Sequence, residues 1–139
     1  MTTEIISVAG ALLVAAASYW FAKQAEREAE WRKEKLKHYM AFVDSLSGIL
    51  KEESTPEGQI AFAKACNDIL LFAPQFVIEA LMNFQDEIKI SNKNKSLEKH
   101  DELLSQLFLA MRKDVGIKPK DEEATFKVRL WGSGVKKTS

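Results

Sequence analysis

IISVAGALLVAAASYWFA, residues 5–22, runs eighteen positions without a charge. Coiled as an α-helix it measures about 27 Å at 1.5 Å per residue, against roughly 30 Å of bilayer hydrocarbon. Inside lipid a backbone must satisfy its own N–H and C=O groups, and a helix does so. The stretch reads as one transmembrane span. A cleaved signal peptide is the first rival, but its start is basic and its apolar core short. Here Met1-Thr2-Thr3-Glu4 is acidic, and bulky Tyr19-Trp20-Phe21 prolong the run past Ala15-Ala16-Ala17. The second rival, a buried core helix, needs apolar neighbours on every side.

The flanks set an orientation. Lys23, Arg27, Arg32, Lys33, Lys35 and Lys37 follow the span, and no Lys or Arg precedes Lys23. The positive-inside rule then places the C-terminal body in the cytoplasm and the N-terminus outside. Tyr19-Trp20-Phe21 fall at the inner interface, where aromatic rings are enriched. A single cysteine, Cys66, suits a reducing compartment. Beyond the span stand twenty basic and nineteen acidic residues. That balance gives no electrostatic case for nucleic acid.

The remainder reads as all-α, about four helices in a small bundle. Nothing breaks a helix between Lys23 and Gly48, so the membrane helix continues through a charged stalk. Leu36, Tyr39, Met40, Val43, Leu46 and Leu50 follow at three-and-four spacing, a core-facing stripe. Ser54-Thr55-Pro56-Glu57 opens a second helix in either of two frames. Ser54 with Glu57 makes a capping box; Thr55 as cap puts Pro56 first. Its inward positions are Ile60, Ala63, Cys66, Ile69 and Leu70, and it runs to about Phe72. A third helix restarts at Pro74 and carries Val77, Leu81, Phe84 and Ile88 on one face. Ser91 to Lys95 form a polar loop. Ser96 caps a fourth helix with Leu97, Leu104, Leu107, Phe108, Met111 and Val115, and Gly116 ends it. Short links between helices argue an antiparallel bundle. The domain reading is therefore 1–22 span, 23–116 stalk and bundle, 117–139 irregular tail. In the tail, Phe126, Val128 and Leu130 alternate with Lys127 and Arg129, a strand-like pattern. Two readings of that tail are a segment folded back on the bundle or partly disordered, and a docking segment for another subunit; the first is preferred.

Chemistry is sparse. Metal sites need clustered ligands, but His38, His100 and Cys66 fall on three different helices. There is no Gly-rich phosphate loop, no G-x-S-x-G and no supported Cys/His dyad. No cofactor or metal site and no catalytic set is expected, so the chain does not read as an enzyme. One pattern competes. Arg32 and His38, five residues apart in between, match the loose R-x4–6-H spacing of HEPN ribonucleases. A continuous helix turns side chains six apart away from one another, because neighbours on one face are three or four apart. Met111-Arg112-Lys113-Asp114-Val115-Gly116 is the other candidate. Cations belong at a helix C-terminus, which accounts for Arg112 and Lys113. Recognition is the alternative: Arg112 with Asp114 in an inter-subunit salt bridge, or Arg112 with Lys113 on an anionic ligand. In the span, Ser7, Ala11, Ala15 and Ser18 share one side, and small residues let helices approach closely in lipid.

The span, charged stalk, helical bundle and late Arg112-Lys113-Asp114-Val115-Gly116 resemble a group of small bacterial single-pass membrane proteins. The layout is similar to the membrane accessory proteins of type VI-B CRISPR systems. This sequence has no His shortly after Arg112, so the HEPN motif of that group is absent there. The resemblance implies a single-pass protein of the bacterial inner membrane that self-associates, as a pore-forming or membrane-perturbing effector in antiphage defence. The expected partners are the lipid bilayer and further copies of the chain. The alternatives are a membrane-tethered module for a cytosolic protein or an anionic signalling ligand, and a divergent HEPN-like ribonuclease.

Overall fold

The computed structural model of the chain describes residues 2–50 and 54–132. Among these residues are four α-helices, α1 (Thr2–Ser45), α2 (Pro56–Phe72), α3 (Gln75–Ile88) and α4 (Leu97–Asp114), and a 3₁₀ turn at Leu46–Ile49. Among the described residues there is no strand. The chain divides into two units, Met1–Glu34 and Lys35–Ser139.

Every described residue of the first unit is helical and exposed. None of its apolar stretch is buried, and the helix is long and apolar enough to cross a membrane. A soluble domain rarely leaves so much contiguous apolar surface in water. A lipid environment removes the conflict.

The second unit is a packed helical bundle. Phe42, Leu46, Ile69, Val77, Leu81, Phe84, Leu104 and Leu107 are the large apolar side chains sealed in its core. The end of α1 contributes Tyr39 and Phe42. Ser45 Oγ then donates to the Phe42 carbonyl at 2.6 Å and Ser47 Oγ to that of Asp44 at 3.2 Å. Hydroxyls that bond back to the preceding turn compete with the helical ladder, and the chain tightens into the 3₁₀ turn. Gly48 and Gly58 explain how that turn meets α2. A Cβ on Gly48 would lie 2.6 Å from the Gly58 carbonyl oxygen, and one on Gly58 would lie 2.7 Å from Gly48 Cα. The two backbones touch, and only glycine fits on either side.

Of the two possible starts for α2, the chain uses Thr55. Its hydroxyl accepts from the Gly58 N–H at 2.9 Å, with Pro56 leading the helix. Ser54 Oγ instead accepts from Gln59 Nε2. Pro74 enforces an extended Ala73 and separates α2 from α3. Ser96 caps α4 by accepting from the Lys99 N–H. At its far end Ile117 N–H reaches Arg112 O and Gly116 N–H reaches Lys113 O, with Gly116 at φ +73°. That is a Schellman closure, in which glycine supplies the left-handed residue.

Several inward assignments need correction. Of the stripe, Tyr39 on α1 and Leu46 in the 3₁₀ turn are buried as expected, but Leu36, Met40 and Val43 are exposed, and Phe42 on α1 is buried in their place. The Phe42 and Phe62 rings, 5.7 Å apart, set that rotation. On α2 the buried face is Phe62, Ala65, Cys66 and Ile69, which turns Ile60, Ala63 and Leu70 outward. α2 is apolar on nearly every side, so periodicity alone does not select its inner face. Leu97, in the first turn of α4, is exposed as well. The strand-like tail is not a strand; it lies back on the bundle. Val128 and Leu130 pack against the core. Ser105, buried in mid-α4, accepts the Val128 N–H at 2.8 Å. Its own hydroxyl proton is shared between the carbonyls of Asp101 and Val128, at 2.7 and 3.0 Å. The basic end after Gly132 lies outside the described residues.

Candidate functional site

Ser7, Ala11, Ala15 and Ser18 all lie exposed on the helix of the first unit. At the basic border of the apolar stretch, Trp20 and Phe21 meet edge to face at 5.1 Å. Lys23 Nζ lies 5.8 Å from the Tyr19 ring centroid and 3.5 Å from Glu26 Oε2. Lysine stems that run along aromatic rings while the head stays polar are what a membrane interface favours.

Arg32 belongs to the first unit and is exposed there. His38 belongs to the second unit, where its ring stacks on Phe72 at 4.7 Å. His100 sits edge-on to Phe84, with Nδ1 3.2 Å from Asp101 Oδ1. Cys66 is a free, buried core thiol. Burial pushes its ionisation up, against a smaller opposing pull from a hydrogen bond with Gln85, which disfavours the nucleophilic thiolate. Among the described residues no three His, Cys, Asp or Glu side chains gather in a way that could hold a metal ion.

The residues of the late Arg-Lys-Asp motif are all engaged within the chain. Arg112 forms a two-pronged pair with Asp121, Nε to Oδ2 at 2.8 Å and Nη2 to Oδ1 at 3.0 Å. These hydrogen bonds raise the guanidinium ionisation and lower that of the Asp121 carboxyl. The guanidinium also lies 5.6 Å from the Phe126 ring. Lys113 reaches Glu123 at 3.9 Å and lies 5.7 Å from the Phe76 ring. Asp114 turns the other way. Its Oδ1 is 3.0 Å from Lys35 Nζ, and its Oδ2 accepts the Tyr39 hydroxyl at 2.7 Å. Burial, with the hydrogen bond and charge of Asp114, holds the Tyr39 hydroxyl far above its ordinary ionisation. So Arg112 fastens the tail to α4, while Asp114 fastens α4 to the end of α1. A cavity of about 270 Å³ opens beside this clasp, bordered by Leu109, Gly116, Ile117 and Lys118.

Two polar residues escaped the sequence reading. Glu87 is buried at the end of α3; it accepts from the Ser96 N–H at 2.9 Å and from Asn92 Nδ2 at 3.2 Å. It organises the 89–96 loop and holds the N-cap residue of α4. Ser105 is the second, as the anchor of the tail. Both carry their partners at a distance in sequence that periodicity does not encode.

No family model, no curated protein and no solved structure matches this chain.

Proposed function

We propose that this chain is a single-pass membrane protein that self-associates through its span and holds its helical bundle on the cytoplasmic side. The observation that carries the reading is the charge-free helix of residues 5–22, exposed along its whole length. The basic residues from Lys23 onward support the orientation. Ser7, Ala11, Ala15 and Ser18 support close contact between spans. The intrachain clasp at Arg112 and Asp114 supports a structural use of that motif, which leaves the bundle as scaffold rather than catalyst.

Paired reporter fusions at Ser139 test the topology. A cytosol-active reporter should work there and a periplasm-active one should not, with the chain resisting alkaline extraction from membranes. Activity of the periplasmic reporter alone would overturn the orientation, and release into the alkaline supernatant would overturn the span. A conducting assembly, the extension implied by the resemblance to CRISPR-associated membrane proteins, would also depolarise cells that overexpress the chain.

A further inference from the structure

Three exposed apolar side chains of the second unit share one edge of α1. Leu36, Met40 and Val43 are 44%, 56% and 40% exposed. Their steps of four and three put them on a common face, beside the buried Tyr39, Phe42 and Leu46. The sequence continues the same phase toward the N-terminus. Of residues 23–35 only Ala25, Ala29 and Trp31 are apolar. Both alanines fall in phase, Ala25 three residues after Ala22 and Ala29 four after that, and Arg32 carries the phase on to Leu36. Further back the phase meets Ser18, Ala15, Ala11 and Ser7.

We propose that a second copy of this chain covers the Leu36, Met40 and Val43 face, α1 against α1 in parallel. The inference rests on the self-association proposed above and extends it beyond the membrane. Copies anchored in one bilayer with one orientation meet in parallel and present the same residues at the same depth. In a parallel pair, flanking positions five residues apart meet across the seam. Glu28 and Lys33 occupy such positions with opposite sign, and two-fold symmetry makes the pair twice. Arg32 is the one charge in the seam, and its aliphatic stem can lie along it with the head toward Glu28 four residues back. The apolar patch is small against the roughly 1,000 Å² that a free association needs. Two copies held in one membrane do not need that much, because tethering raises their effective concentration.

Disulfide trapping in the full chain, reconstituted in lipid nanodiscs, tests this. Single variants Ala29→Cys, Leu36→Cys and Met40→Cys lie on the face; Glu30→Cys and Ala41→Cys lie off it. The native Cys66, 2% exposed, serves as the internal control. A disulfide needs Cβ atoms about 3.5–4.5 Å apart. Oxidation should give linked dimers on the face and none off it. Glu28→Lys in the Leu36→Cys background should lose the dimer, and adding Lys33→Glu should restore it. Equal linking at all five sites, or none at any, in a particle whose mass is still oligomeric would overturn the cytosolic seam and leave the span contact standing. A monomeric mass would overturn both.

Discussion

Asp114→Ala is the most informative single change in the bundle. The Asp114 side chain is 9% exposed and that of Lys35 15%. Tyr39, the other partner, is 4% exposed. Removing the carboxylate leaves a buried hydroxyl without its acceptor and takes one carboxylate from the largely buried Lys35 ammonium. Breaking a buried ion pair from one side costs roughly 3–5 kcal/mol, and residual exposure of the lysine puts this case near 3. Tyr39→Phe removes only a hydrogen bond and should cost about 1–2 kcal/mol. Asp114→Asn keeps an acceptor for Tyr39 but not the charge, and should fall between them. Urea unfolding of the full chain in mild detergent, read by pulse proteolysis, supplies the measurement. With a slope of about 1–3 kcal/mol per molar urea, 3 kcal/mol moves the midpoint by about 1–3 M. The double variant Tyr39→Phe, Asp114→Ala should lose less than the sum of the two, because they share one hydrogen bond. An unmoved midpoint in Asp114→Ala would refute the reasoning. It would mean that the cluster behaves as a solvated surface pair, for which about 0–1 kcal/mol is usual.

Alkaline pH should weaken the bundle through Tyr39. Its folded-state ionisation is raised, by burial first, so its contribution is complete below the ordinary tyrosine value near 10 and is lost as pH rises beyond it; Tyr39→Phe should flatten that part of a stability-against-pH curve. Gly58→Ala should destabilise even though alanine favours a helix by about 1 kcal/mol, because its Cβ would lie 2.7 Å from Gly48 Cα and overpacking costs about 1–3 kcal/mol or more; a higher urea midpoint would show that the 3₁₀ turn can retreat. Leu107→Ala, at a fully buried site, should cost roughly 2–5 kcal/mol through lost burial and a residual cavity. Cys66 should react with a thiol reagent only as fast as the bundle opens, and rapid labelling of the folded protein would contradict its core position.

Local signals carried much of the fold. The stops at Pro74 and Gly116, the cap at Ser96 and the inward face of α3 follow from side-chain chemistry within a few residues, and the structure agrees. Facing was harder. α1 and α2 each present two plausible apolar faces, and the choice between them depends on Phe42 meeting Phe62, a contact between distant residues. The tail shows the same limit. Alternation at Phe126, Val128 and Leu130 is a strand period, yet the segment is held by one serine hydroxyl and by Asp121 reaching Arg112. The Arg-Lys-Asp motif was visible in sequence as a charged helix end. That its two outer residues face opposite ways, one to the tail and one to α1, depends on Lys35, Tyr39 and Asp121, and no spacing rule joins those positions.

Particle mass in lipid nanodiscs tests the central claim most directly. The wild-type chain should exceed the mass of a single copy. Ala11→Leu with Ala15→Leu should lower it while the protein still resists alkaline extraction, because both changes keep the span apolar and only block close helix contact. Leu12→Ala or Leu13→Ala, on other faces, should change it less. An unchanged mass in the double leucine variant would move the contact out of the span. A wild-type particle containing one copy would contradict self-association outright.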